Sequence, residues 1–304
     1  MADNASARRE LNGARLSEIA EQVLEESRRH GATSAEASVS DSRGLSVTAR
    51  MGEVETVEHN RDKSLVVTVY VDRKTGSASS SDFSPAAIAD TARAACTIAK
   101  YTANDPCTGL ADADQLARDV PELDLNHPWE LSVDQAIALA LTCEDRARKA
   151  DKRITNSEGA TVSSHEGIDV YANTLGFMEE VAATRHSISC AVVGSADGKM
   201  QRDYWYTAAR DPAELDAPDD VGRIAAQRTL RRLGAQKIPT RETPVVFEAP
   251  VAGSLLSHFV NAIRGNSLYR KASFLLGQLN QSVFAPHIRI HEQPHLKKAM
   301  GSAP

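Results

Sequence analysis

The sequence has few of the features that identify a functional class at once. It holds only four cysteines in 304 residues and no CxxC pair, so neither a disulfide framework nor a thiolate metal site is indicated. No apolar run is long enough to span a membrane, and residues 1–16 lack the apolar core of a secretory signal. These absences predict a cytoplasmic protein that has no membrane partner.

The sequence has no excess of positive charge, because 41 acidic residues outnumber 35 lysines and arginines. The formal net charge is −6 and the pI is about 5.9, so a direct interaction with nucleic acid is not expected. The one dense basic cluster (Arg228, Arg231 and Arg232) falls on a predicted helix and is typical of a solvated helix face. The sequence also lacks a glycine-rich phosphate loop and a GxSxG elbow.

Hydrophobic periodicity predicts an α+β fold in which two units of antiparallel β-meander pack with amphipathic helices. The first unit has a helix over residues 16–29, five short strands within 35–81, and a helix that opens at Ser84-Pro85. In the second unit a capping box, Ser132 with Gln135, opens a helix, and six short strands within 153–208 and a helix near 219–233 follow. No residue-level repeat supports a duplication.

The strand predictions depend on turn-type residues between apolar runs. The interruptions are at residues 41–44, 51–52, 60–62, 72–76, 158–159, 166–167, 173–176 and 195–198. A strand at 244–248, a helix at 251–264 and a strand ending near His291 would begin a third, incomplete β-rich region. Residues 102–130 are polar and weakly periodic, so they are predicted to be a connection. The expected domains are therefore 1–125, 126–240 and 241–304.

A zinc-protease motif occurs near the end of the chain, at residues 291–295 (HEQPH). In a working HExxH site the histidines lie one turn apart on a helix and the glutamate polarises the metal-bound water. Pro294 disfavours that helix, because proline removes an amide donor and clashes with the preceding turn. A strand, a turn and a short helix opening at Pro294 are expected instead. An autonomous zinc protease using His291, Glu292 and His295 remains the alternative.

Three further groups of residues are candidates for chemistry. His165-Glu166 lies at a predicted turn, and His186 and Cys190 share one face of a predicted strand, but no further ligands accompany them. The Asp203, Tyr204, Trp205 and Tyr206 cluster fits either a peptide groove or a core or interface position. Ordinary packing is the expected role of the first two groups.

Several strings, in this order and spacing, resemble the PmbA/TldE branch of the TldD/PmbA family, also called modulator of DNA gyrase. They are residues 50–58 (RMGEVETVE), 76–82 (GSASSSD), 105–107 (DPC), 151–159 (DKRITNSEG), 184–187 (TRHS), 202–204 (RDY) and 269–276 (YRKASFLL). The resemblance runs from about residue 16 to the last residue. Family members continue past residue 304, so the resemblance implies a chain that is truncated at its C-terminus.

The resemblance implies a cytosolic zinc metallopeptidase assembly that processes unfolded peptides, including antibiotic precursors and an antitoxin. In that family the zinc is held by an HExxxH helix of the TldD subunit. The corresponding positions here are Ser257, His258 and Ala262. The resemblance therefore implies no catalytic or metal ligands on this chain, zinc on a TldD-like partner, and unfolded peptides as substrates. A non-enzymatic interaction module is a further alternative.

Overall fold

A single antiparallel sheet of six strands organises the N-terminal two thirds of the chain. The computed structural model describes residues 12–304. Its strands are β1 (Ser34–Arg50), β2 (Glu53–Val71), β3 (Lys74–Ser80), β4 (Ile154–Asn173), β5 (Met178–Ala196) and β6 (Lys199–Ala209). Their order is β3-β2-β1-β4-β5-β6. Residues 1–11, which include most of the stretch without a secretory signal and the start of the predicted domain 1–125, lie outside the described residues.

Six α-helices form within residues 12–304, and local sequence signals mark the starts of α2 and α3. They are α1 (Gly13–Arg29), α2 (Pro85–Tyr101), α3 (Val133–Arg148), α4 (Pro218–Arg232), α5 (Ala249–Ile263) and α6 (Gly265–Tyr269). The Ser84 side chain caps α2 ahead of Pro85. Ser132 and Gln135 form the predicted capping box at α3. All four helices predicted in the two meander units are confirmed.

The first four helices lie on the same face of the sheet. Alternate side chains of β1 enter two apolar clusters: residues 35–39 pack with α1 and α2, and residues 45–49 pack with α3 and α4. Because strand side chains alternate between faces, shared parity places both clusters on one side. The other side, hereafter the open face, is covered by none of these four helices. The predicted α+β class is confirmed.

The breaks predicted at 51–52, 72–76, 173–176 and 195–198 are confirmed as the places where strands turn, and the other four predicted breaks fall inside strands. Residues 41–44, 60–62 and 166–167 continue β1, β2 and β4 in unbroken register. Their polar side chains pair across strands, Arg61 with Asp41 at 2.9 Å and Arg43 with Glu166. Gly44 makes room for a neighbour, because a Cβ there would lie 2.1 Å from Nδ1 of His165.

The break predicted at residues 158–159 is a β-bulge. The register of β4 against β5 shifts between Ser157 and Gly159. Gly159 has φ +107°, a conformation that side chains rarely adopt, and its amide donates to the Ser157 hydroxyl at 2.9 Å. The strand therefore continues past a residue whose type suggested a turn.

The two predicted meanders share one sheet through the β1–β4 pair, and the pairing has an internal two-fold symmetry. The apolar pairs on either side of the centre consist of the same residue types in the same order: Ala37 with Ala172, Val39 with Val170, Val47 with Val162, and Ala49 with Ala160. Next to them, Val39 pairs with Leu65 and Val162 with Ile188. The helix–three strands–helix order also repeats, as α1-β1-β2-β3-α2 and α3-β4-β5-β6-α4. The structure thus shows a residue-level correspondence that the sequence alone did not suggest.

A buried carboxylate joins α3 to the β1–β2 turn. Met51 and Gly52 both have positive φ, and their amides donate to the two oxygens of Glu144 at 2.6 and 2.8 Å. Glu144 is fully buried, and Arg148 lies 3.8 Å away. Both amides of the tight turn are therefore satisfied from the helix packed on it.

Residues 236–293 form a second compact unit, separate from the unit of 12–235 and 294–304. It contains α5, which confirms the helix predicted over 251–264, and α6. The strands predicted at 244–248 and before His291 are wrong: within described residues 236–304 there is no strand, and no β-rich third region forms. A strand needs a neighbour to pair with, and alternation alone supplies none. The predicted domains 1–125, 126–240 and 241–304 stay a prediction.

None of the helices formed by residues 12–304 combines the length and the apolar character required to cross a lipid bilayer.

Candidate functional site

Hydroxyl groups line the middle of the open face. Ser46 faces Ser163 across β1 and β4 with their oxygens 3.0 Å apart, and Thr48 faces Thr161 at 2.9 Å. These side chains are half-buried, so the face is polar but only partly solvated. Hydroxyls both donate and accept hydrogen bonds, which suits contacts with peptide groups irrespective of side-chain sequence.

A carboxylate bridged by two phenols occupies one end of the open face. The hydroxyls of Tyr70 and Tyr171 donate to the two oxygens of Glu36, at 2.7 and 2.8 Å. Burial is the main cause that raises the pKa of both phenols above the ordinary value of 10, so both stay protonated donors. Sequence reasoning missed this cluster. The period-two pattern that puts Glu36 on the polar side of β1 was the one available signal.

The aromatic cluster of β6 is divided between the two faces of the sheet. Asp203 is buried and lies 3.4 Å from Nε of Arg228, which also stacks over Trp205 at 5.2 Å from the ring centroid. Tyr204 and Tyr206 point the other way. They are 49% and 53% exposed and stack with centroids 6.3 Å apart. Of the two roles left open, packing fits Asp203 and Trp205, and a contact surface fits the tyrosines.

The string at residues 184–187 ties the connection before α3 to the sheet. The Thr184 amide donates to the Leu125 carbonyl at 2.9 Å, and its hydroxyl accepts from the His127 amide at 2.9 Å. His186 is fully buried, and its Nε2 lies 2.9 Å from the His127 carbonyl. Because a carbonyl only accepts, Nε2 carries the proton, and Nδ1 accepts from Ser164 at 3.0 Å. Burial lowers the pKa of His186, which favours the neutral ring.

The other two candidate groups have structural positions. His165 and Glu166 lie inside β4 and not at the predicted turn, with Glu166 paired to Arg43. His186 and Cys190 do share one face of β5, as predicted, and both are buried, His186 against the connection and Cys190 in the cluster with α3 and α4. No group of three or more His, Cys, Asp or Glu side chains among residues 12–304 is arranged to hold a metal ion.

The positions that match the family's metal motif lie on α5. Ser257 and His258 are exposed, Ala262 is buried, and the Ser257 hydroxyl donates to the Gly253 carbonyl at 3.1 Å. These residues do not fit a zinc ion, because a hydroxyl and a methyl group cannot replace two imidazoles. That this chain carries no catalytic or metal residue stays a prediction.

The alternative zinc motif does not lie on a helix. His291 and Glu292 are in irregular backbone, and Pro294 and His295 are in a turn. The short helix expected to open at Pro294 is therefore wrong. The one-turn spacing that an HExxH site requires is not formed.

Family models match most of the chain in three consecutive parts. Residues 35–99 match the PmbA/TldA metallopeptidase domain 1, residues 126–233 match the central domain, and residues 240–304 match the C-terminal domain.

Curated relatives carry the same family name. Metalloprotease PmbA from Escherichia coli O157:H7 is 48% identical over 270 residues, which cover 89% of this chain and 60% of that protein. A metalloprotease PmbA homolog from Haemophilus influenzae is 43% identical over 303 residues, which cover 100% of this chain and 67% of that protein. The chain thus spans about two thirds or less of the length of these relatives.

Solved structures share the fold. A candidate modulator of DNA gyrase from Bacteroides thetaiotaomicron superposes with a TM-score of 0.87 at 24% identity, over 94% of this chain and 66% of that one. TldE from Thermococcus kodakarensis superposes with a TM-score of 0.68 at 16% identity, over 86% of this chain and 58% of that one. At these identities the likeness shows the fold alone.

Proposed function

The chain belongs to the PmbA/TldD metallopeptidase family, and on that premise we propose that it is the PmbA/TldE-like subunit of a two-subunit zinc metallopeptidase. The observation that carries the proposal is the residue set on α5: Ser257 and Ala262 stand at the two imidazole positions of the family motif. Catalysis then belongs to a TldD-like partner that holds the zinc, and the assembly works in the cytoplasm.

The proposed role of this chain is to hold an unfolded peptide in an extended conformation. The open face supports this role because its Ser and Thr hydroxyls can bond to peptide groups of any sequence. The exposed pair Tyr204 and Tyr206 lies on β6, an edge strand, where large aromatic surfaces add affinity at low entropic cost. Peptide-antibiotic precursors and antitoxins are the proposed substrates.

The first experiment tests whether the partner subunit, and not this chain, holds the zinc and cleaves the peptide. The chain is purified alone and together with a TldD-like subunit from the same organism, and zinc is measured in each preparation by plasma mass spectrometry. We expect a stable complex, zinc in proportion to the partner, and cleavage of an unfolded peptide only by the complex. Stoichiometric zinc in the isolated chain, or cleavage by it, would contradict the proposal.

The second experiment tests the peptide-holding surface. Tyr206→Ala should raise the KM of the complex for an unfolded peptide by about threefold to tenfold, because one stacked ring contributes about 1 kcal/mol. The kcat should not change, since the ring touches no reacting atom. Met200→Ala is the matched control, because Met200 is also exposed on β6. Equal KM changes in both variants would remove the tyrosine pair from the proposal.

A further inference from the structure

Within residues 12–304, the two-fold symmetry of the sheet leaves two equivalent stretches of strand edge that no further strand pairs with. β3 pairs only with residues 65–71 of β2, and β6 pairs only with residues 186–196 of β5. The remaining halves, residues 53–64 and 178–185, each have one strand neighbour. The backbone groups that face away from that neighbour are free to pair with another extended chain.

One of these two edges is already contacted by another segment of the chain. Thr184 receives the connection through its amide, which donates to the Leu125 carbonyl at 2.9 Å. Leu123 and Leu125 are buried there, with 4% and 5% exposure. The fold therefore accepts an added segment at this position, with one main-chain hydrogen bond, a bond from the His127 amide to the Thr184 hydroxyl, and buried apolar side chains.

The equivalent place on the other edge is Arg61. Arg43 and Glu166 face each other across the centre of the sheet, and they pair outward with Arg61 and Thr184 respectively. Residues 53–62 are all exposed, so within the described residues nothing covers this half of β2.

We propose that residues 53–63 of β2 bind an extended peptide by strand addition, and that the preferred peptide alternates basic and apolar side chains. The net charge of this stretch is the basis of the preference: Glu53, Glu55, Glu58 and Asp62 outnumber Arg61 and Lys63. Glu55 pairs with Arg50 at 3.1 Å, and Glu53 and Glu58 face solvent. Val54 and Val57, 43% and 42% exposed, supply the apolar contacts. Added main-chain bonds give the affinity, and alternate side chains give the selectivity.

This inference rests on the proposed function, because it takes a peptide as the ligand, but its test needs no partner subunit. The probe is a fluorescein-labelled heptapeptide of alternating lysine and valine, titrated against the 304-residue chain in an anisotropy assay. Val57→Lys places a charge on the free edge and should weaken binding tenfold or more. Val66→Lys is the matched control. Val66 is 38% exposed and lies on the half of β2 that pairs with β3. The peptide affinity of the Val66→Lys variant should therefore differ from that of the parent by less than twofold.

A second peptide distinguishes strand addition from charge attraction. The same heptapeptide with alternate amides N-methylated keeps every charge but loses the donors that pair with the edge, so it should bind at least tenfold more weakly. Equal binding of both peptides, or equal loss in both lysine variants, would overturn the proposal.

A measurement of oligomeric state tests whether the edge of β2 instead joins two copies of the chain. If light scattering shows that Val57→Lys converts a dimer to a monomer while peptide affinity is unchanged, the edge joins two copies of the chain and the peptide proposal fails. Both variants must unfold in urea with the parent's transition. Failure of this site would leave zinc content and partner binding unchanged, so it is separable from failure of the proposed function.

Discussion

Replacing Glu144 should destabilise the sheet far more than any exposed carboxylate of the same helix. Each bond from a backbone amide to a buried carboxylate contributes about 1.5–3 kcal/mol, and Glu144 accepts two, from Met51 and Gly52. The turn itself is exposed, so water can partly replace the lost acceptor. We therefore expect Glu144→Ala to lower the free energy of unfolding by about 3 kcal/mol, and Glu144→Gln by about 2 kcal/mol, since the amide oxygen satisfies one donor.

Urea unfolding followed by tryptophan fluorescence measures this effect. The chain has two tryptophans, Trp129 and Trp205, and both lie in the compact unit that contains Glu144. Asp145→Ala is the matched control. Asp145 is the next residue of α3, is exposed and pairs with Lys149, so its loss should cost less than about 0.5 kcal/mol. If Glu144→Ala and Asp145→Ala shift the urea midpoint equally, the two bonds do not stabilise the fold as argued.

Two further predictions concern packing and pH. Gly222→Ala should lower the free energy of unfolding by about 1–3 kcal/mol, because the added Cβ would lie 2.1 Å from the Cys143 carbonyl oxygen. Gly253→Ala adds a Cβ that meets nothing within 4 Å, so it should not lower the free energy of unfolding in the same fluorescence measurement. Since the pKa of buried His186 is lowered in the fold, the unfolded chain binds more protons near its ordinary pKa of about 6.5. The contribution of the neutral ring to the free energy of unfolding is complete above about pH 6.5. It is lost as the pH falls, by up to about 1.4 kcal/mol per pH unit. His186→Gln should flatten the slope of unfolding free energy between pH 6.5 and 5.5, and His59→Gln, on an exposed residue, should not.

Local signals were sufficient for the helices and insufficient for the strand lengths. Ser84 and Ser132 cap their own helices within three residues, so the sequence contains the whole signal. Gly44 and Gly159 have the residue type of a turn, but their roles depend on neighbours about 110 to 120 positions away, His165 and Ala49. A residue pattern cannot distinguish a glycine that ends a strand from one that makes room inside it.

The candidate site also has a part that the sequence predicts and a part that it does not. Period-two alternation, applied to residues 203–206, already separates Asp203 and Trp205 from Tyr204 and Tyr206, so this division was available from the sequence. The Glu36 cluster was not, because its phenols come from two other strands, and the bond from Tyr171 spans 135 positions of the chain. The pairing of β1 with β4 brings those positions together, and only the structure establishes it.

The two halves of the sheet share their apolar core residues but differ in their surface residues. The apolar partners at the centre are the same in both halves, so the core fixes the sheet without distinguishing one half from the other. The surfaces differ at equivalent positions: Thr184, which tethers the connection, corresponds to Arg61 on an uncovered edge. A symmetric core tolerates divergence of this kind because edge and open-face side chains contribute little to packing. Binding functions of this chain are therefore expected where the halves differ, on the open face and the free edge of β2.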